Sequence, residues 1–220
     1  MALDWQNLFI DRTHHREIIV ALADRPDGSR VGGRPPAVLA AAMPVCPRCG
    51  GPLLYVLTLG GDTLGVALAQ GRAISLLTCR DYKCRMTSHA LVEPSAIILL
   101  PHDDSPRATA PSPLDAETEG CALVLGPATP DPVEDDWVST DASKLGGRPG
   151  YIQSWGPEEA AKAEAAGGVF LFQWSENAYP RTGMKIGPYP FDFGVVYVYC
   201  RVDPGRGLPV LEAPSAFWQS

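Results

Sequence analysis

Six cysteines stand in the 220-residue chain, and four of them have the spacing of metal ligands. Cys46-Pro47-Arg48-Cys49-Gly50-Gly51 is a knuckle: a two-residue spacer turns both thiolates to one side, and the glycines behind it let backbone amides approach sulfur. Cys79 and Cys84, separated by Arg80-Asp81-Tyr82-Lys83, supply a second pair from the end of an apolar run. Four thiolates satisfy the tetrahedral preference of Zn²⁺, with bonds of about 2.3 Å, so Cys46, Cys49, Cys79 and Cys84 are the expected zinc ligands. Four protein ligands leave no position for a reacting water, which makes the expected role of the zinc structural. Replacement of one cysteine by His89 or His102, and a set of free buried thiols, are the alternatives.

Other chemistry has less behind it. Arg48, Arg80, Lys83 and Arg85 flank the cysteines as a local basic cluster, the kind of rim with which zinc knuckles bind nucleic acid. Against that stand a formal net charge of -7 and the lack of a basic run interleaved with aromatics. No nucleophile elbow or His-Glu-x-x-His helix accompanies His14, His15, His89 and His102, so no enzyme activity is expected. His102-Asp103-Asp104, beside Pro101 and Pro106, reads as a polar loop.

The elements that must position these groups are mostly strands. Runs at 52–59, 74–80, 168–174 and 195–201 are rich in β-branched, aromatic and aliphatic residues bounded by Gly and Pro, and their lack of polar alternation predicts cover on both faces. Gly and Pro contribute 22 residues each, so turns are frequent and helices few. The best helix covers 157–166, with Pro157 at its start, Glu158 and Glu159 in the first turn and Gly167 to stop it.

The chain also repeats itself. Ser29-Arg30-Val31-Gly32-Gly33-Arg34-Pro35 returns 114 residues later as Ser143-Lys144-Leu145-Gly146-Gly147-Arg148-Pro149, and each copy is followed by an apolar strand and then by a strand ending in Cys-Arg, at Cys79-Arg80 and Cys200-Arg201. The Gly-Gly-Arg-Pro loops lack the features of a phosphate loop and read as tight turns, with a ligand-contacting loop the alternative. The expected fold is mainly β: an internally duplicated β domain with few short helices, two related halves packed together, and the four-cysteine knuckle in the N-terminal half. Its segments are a first β-rich repeat at 1–105, a connector at 106–136 and a second repeat at 137–220.

Charge is concentrated at the join. Residues 1–105 are neutral overall, 137–220 carry -1, and 106–136 carry -6 through Asp115, Glu117, Glu119, Asp131, Glu134, Asp135 and Asp136 against Arg107 alone. Six prolines and this acidity describe a solvated connector with one docked strand, Cys121-Ala122-Leu123-Val124-Leu125, or else a docking surface for a basic partner. The opening residues carry no secretory pattern and no run approaches the about 18 apolar residues of a membrane span, so a cytoplasmic protein is expected.

The order Ser-Arg/Lys-x-Gly-Gly-x-Pro, Cys-x-x-Cys-Gly-x-Pro-Leu, apolar strand, and strand with two further cysteines resembles the eukaryotic programmed-cell-death-protein-2 family and its ribosome-biogenesis relatives. Ser143 to Pro149, Tyr151-Ile152-Gln153 and Leu171-Phe172-Gln173-Trp174 look more like bacterial YwqG. Both resemblances are to a duplicated β-rich unit called the TYPP domain. Arg-rich, Lys-poor usage with abundant Ala, Gly and Pro suggests a high-GC bacterial source. The resemblance implies non-enzymatic protein binding, either as a bacterial immunity protein that neutralises a cognate toxin or as a chaperone or adaptor for a basic, ribosomal-type client. A zinc-dependent nucleic-acid-binding protein is the remaining reading, with nucleic acid a less expected partner than protein. Partner contacts are expected in a groove between the halves near Arg34, Arg148, Trp155, Gln173 and Trp174, where Trp and Arg are favoured anchors; plain core is the alternative for the aromatics.

Overall fold

A computed structural model describes residues 6–21, 28–64, 72–91, 93–116, 118–131, 142–178, 190–192, 194–203 and 208–219. Among the described residues ten strands form one antiparallel sheet: β1 His14–Ala21, β2 Arg30–Val31, β3 Leu53–Gly60, β4 Arg72–Cys79, β5 Ile97–Asp103, β6 Cys121–Pro130, β7 Lys144–Gly146, β8 Gly168–Ser175, β9 Val195–Asp203 and β10 Leu208–Gln219. Their order is β10-β9-β8-β7-β1-β6-β2-β3-β4-β5, and the edge strands β5 and β10 approach one another, so the sheet is nearly closed. Helices are short, as expected: α1 Ala37–Ala42, α2 Gly61–Leu64, α3 Tyr82–Met86 and α4 Gly156–Ala165. The expected helix is α4, which starts one residue earlier than its sequence signals and ends before Gly167 at φ 81°.

Strand periodicity divides the apolar residues between two faces. Ile74 and Leu76 of β4 and Val196, Val198 and Cys200 of β9 enter one enclosed core shared by all the long strands, together with Ile18, Leu123, Trp174 and Trp218. The intervening residues face outward and are covered. Leu77 and Cys79 lie under α1 and the cysteine knuckle with Leu39, Cys46 and Leu114, whereas Tyr197 and Tyr199 lie under α4 with Phe170, Ala160 and Ala163. Burial on both sides explains why these strands lack polar alternation.

The strand order reads the same in reverse when each strand is exchanged for the one five places along the chain. The hydrogen bonds follow suit. Arg30 pairs with Thr58 and Lys144 with Gln173; the register shifts once in each following strand, between Tyr55 and Leu57 and between Phe170 and Phe172. Ser29 Oγ accepts from Gly60 N and Ser143 Oγ from Ser175 N, both at 2.9 Å. Leu123 N donates to Ser29 O and Ile18 N to Ser143 O, both at 2.8 Å. One expected match slips by a residue: Cys79 faces Leu53 as Arg201 faces Gly168, so Cys200 stands where Thr78 does and the two Cys-Arg endings are not equivalent.

The connector is more structural than its composition suggests. β6 lies at the centre of the sheet between β1 and β2, and its prolines are accommodated where the ladder is irregular or ends: Pro127 falls in the shift opposite Glu17, and Pro130 pairs with His14 at the strand's end. Glu117, Glu134, Asp135 and Asp136 lie outside the described residues. β1, from the opening segment, is bonded on its other side to β7.

Candidate metal centre and the predicted contact residues

The sulfurs of Cys46, Cys49, Cys79 and Cys84 all lie within 4.8 Å of one another. Cys46 Sγ is 3.8 Å from Cys84 Sγ and Cys49 Sγ is 3.5 Å from Cys79 Sγ. A tetrahedral ion with metal–sulfur bonds of about 2.3 Å has sulfur–sulfur edges of about 3.8 Å, close to both of these separations, and the whole set is compact enough to be compatible with such an ion.

Local structure explains how they converge. Gly50 N donates to Cys46 O at 2.8 Å and Cys46 N to Gly51 O at 2.9 Å, closing the knuckle; Gly50 sits at φ 70°, a conformation open to glycine, and Gly51 N points at Cys49 Sγ at 3.4 Å. Cys79 ends β4, with its N–H bound to Ala96 O. Asp81 then caps α3, accepting from Lys83 N at 2.8 Å and Cys84 N at 3.4 Å, and so turns Cys84 back toward the knuckle.

The environment of the sulfurs is uneven. Cys46 and Cys79 are buried, Cys84 is half-buried and Cys49 is exposed. Burial pushes the Cys84 thiol up to about 11 and the Cys79 thiol higher still, whereas the Gly51 N–H, with the thiols of Cys79 and Cys84, holds Cys49 below the ordinary value. A cation bound at the centre offsets that burial cost, because ligation deprotonates thiols outright. The set fits a metal ion, and neither His89 nor His102 belongs to it.

Those histidines are engaged elsewhere. His102 lies in β5, not in a loop: its Nε2 is 2.8 Å from Ser75 Oγ and its Nδ1 is 2.8 Å from Asp103 O. The chain of bonds continues from Ser75 to Thr58 at 2.7 Å and to Tyr55 at 2.9 Å, all buried. His89 stacks on Trp218 with ring centroids 3.9 Å apart, on the seam where β10 meets α3. Most of the basic rim also serves the fold. Arg85, 8% exposed, donates to Cys79 O at 2.9 Å; Arg80 donates to Pro113 O and Asp115 O, and Arg48 to Pro94 O. Lys83 is exposed.

The five expected contact residues do not form one groove. Gln173 and Trp174 are neighbours on β8 and therefore face opposite ways. Trp174 is fully buried in the shared core. Gln173, also fully buried, accepts from Gly150 N at 2.8 Å and donates to Ala142 O at 2.9 Å, pinning the loop after the second Gly-Gly turn. Tyr197 OH, at 2.7 Å from Gly150 O, and the Gln219 amide hold the same loop. Trp155 is half-buried beside Phe217 and His89. Arg34 is half-buried, donates to Thr109 O and lies 3.9 Å from Asp115 Oδ2. Arg148 alone of the five is exposed.

One cluster went unseen in the sequence. Asp131 Oδ1 lies 2.7 Å from His15 Nδ1 and 3.2 Å from Lys144 Nζ, and its Oδ2 accepts from Arg148 N at 2.7 Å; the side chains of Asp131 and Lys144 are each 2% exposed. A lysine inside a repeated strand motif, matched by buried Arg30 in the first copy, was the available signal that a buried counter-ion had to exist.

Among the described residues no helix is long and apolar enough to cross a membrane. Comparison with protein-family models and with curated proteins returns no match.

Proposed function

We propose that the chain is a non-enzymatic protein-binding protein, built from two copies of one β unit and braced by structural Zn²⁺, that neutralises a basic cognate toxin by direct contact in a bacterial cytoplasm. The closed four-thiol cluster carries the structural side of this reading: every donor is sulfur and the set is complete without water, which suits a brace better than a reaction centre. Duplication is supported by the repeated seven-residue motif and by the matching registers and serine caps of the two sets of strands. The binding side rests on the resemblance to YwqG and on a net charge of -7, which favours encounter with a basic protein. Engagement of Arg48, Arg80 and Arg85 with backbone carbonyls counts against a nucleic-acid surface at the knuckle.

Affinity capture with the tagged full chain from its source cell, with elemental analysis of the same preparation, tests both sides. The expected result is one zinc per chain and one basic protein recovered in stoichiometric amount. A ribosomal protein in that place would make the chain a client chaperone instead. Recovery of nucleic acid without protein would overturn the reading.

A further inference from the structure

We propose that the metal centre is also an oxidation site, in which Cys49 meets a peroxide and Cys79 resolves it to a disulfide, releasing the bound ion. This rests on the metal-centre reading above. Four observations converge on the pair. Cys49 is the one exposed sulfur of the four, so an oxidant reaches the cluster there first. Gly50 beside it leaves open space, with nothing within 4 Å of where a Cβ would stand. Cys79 Sγ is 3.5 Å away, closer than the 3.8 Å between Cys46 and Cys84. Cys79 is also anchored, its N–H bound to Ala96 O and its carbonyl to the buried Arg85 guanidinium, so the exposed knuckle is the side that moves.

The chemistry balances with hydrogen peroxide as the two-electron oxidant. Cys49 sulfur attacks one peroxide oxygen, the O–O bond breaks, and the departing hydroxide takes a proton to leave as water, giving a sulfenic acid. Cys79 sulfur then attacks Cys49 Sγ; the S–S bond forms, the S–O bond breaks, and the second oxygen leaves as water with a proton. Two ligand thiolates, one peroxide and two protons from solvent become one disulfide and two waters. The donor set falls from four sulfurs to two, Cys46 and Cys84, which is too few for a tetrahedral ion. Cys121 and Cys200, both buried in the shared core, stay reduced.

The test uses the full chain as purified, its metal content measured first. Peroxide is added in stoichiometric steps while a chromogenic chelator reads released ion and peptide mass mapping reads disulfides. The expected course is one ion released per disulfide, Cys49 to Cys79 forming first, with thiol reductant and fresh zinc restoring the starting state. A Cys49→Ser chain that still binds metal is expected to release it at least tenfold more slowly; should that variant not fold, the order of disulfides in the unaltered chain decides. A chain that binds no metal at the outset overturns the metal-centre reading itself. Retention of the ion with all thiols intact under peroxide that oxidises a free thiol, or Cys46 to Cys84 as the first disulfide, overturns the oxidation site alone.

Discussion

Replacing Asp131 by Asn isolates the cost of a buried charge at the join between the two sets of strands. Asp131 and Lys144 are each 2% exposed, and the carboxylate is bonded to His15, Lys144 and the Arg148 N–H. Asn keeps an acceptor for Arg148 N, so the substitution chiefly removes the charge that compensates Lys144. Removing one partner of a buried pair costs about 3–5 kcal/mol. A ceiling follows from proton loss: an orphaned ammonium can shed its proton, which from about 10.4 to pH 7 costs about 4.6 kcal/mol. The preserved hydrogen bond favours the low end, about 3 kcal/mol. At about 2–4 °C per kcal/mol for a chain of this size, thermal unfolding should move down by about 6–12 °C. Lys144→Met in the same chain should recover most of that, since an apolar side chain of similar length needs no counter-ion. Burial alone would raise the Asp131 carboxyl, but His15, the Arg148 N–H and Lys144 overcome it and hold it below its ordinary value. Its stabilisation is therefore complete above the ordinary carboxylate range and lost as pH falls through the depressed value, an acid loss that Asp131→Asn should lack. A drop under about 2 °C, or no recovery on adding Lys144→Met, would refute the reasoning.

Stripping the metal with a strong chelator, or Cys46→Ser, should unfold the α1 and knuckle side, read as loss of amide-exchange protection at Leu39 and Leu53 first; unchanged protection would remove the bracing role. Trp174→Ala should lower stability by about 3–5 kcal/mol through loss of core, whereas Arg148→Ala should leave unfolding within about 0.5 kcal/mol and weaken only partner capture. Burial holds the His102 ring below its ordinary pKa, so its contribution is complete above about 6.5 and lost as pH falls through the depressed value. The urea midpoint should fall between pH 7 and 5, less steeply in His102→Gln; an equal slope would show that His102 does not titrate on unfolding.

What the sequence made legible followed from local chemistry, and what it hid depended on partners far along the chain. β3, β4, β8 and β9 were readable because burial on both faces writes an unbroken apolar run, and α4 because Pro157, two glutamates and Gly167 mark its ends. The helices α1 and α3 were not: six and five residues carry no usable period, and α3 exists because Asp81 caps it beside the cysteines. β5 and β10 carry prolines and are the edge strands, where a missing N–H is tolerated; Pro101 hid β5 and left His102 looking like part of a loop. The four cysteines were readable because ligand spacing is local. The orientation of Gln173 and Trp174 was not, because both faces of β8 are covered and nothing in the run says which residue faces the shared core.

The placement of β1 and β6 bears on what the acidic join does. β1 of the opening segment is bonded to β6 of the connector and to β7 of the closing segment, and β6 is bonded on its other side to β2 of the opening segment. The opening segment therefore has its β2 edge completed by the connector and the closing segment has its β7 edge completed by β1, since a strand left unpaired there exposes a full row of backbone donors and acceptors. Asp131 at the end of β6 serves the same exchange: it fastens the connector to His15 of β1 and to Lys144 of β7, so one of the acids counted toward a partner-binding surface is spent inside the fold. On the proposed reading, the acidity left to meet a basic partner is accordingly smaller than the sequence total for 106–136. Capture of that partner should survive neutralising Glu119, an exposed acid of the connector, less well than neutralising Asp131 in a chain stabilised by Lys144→Met.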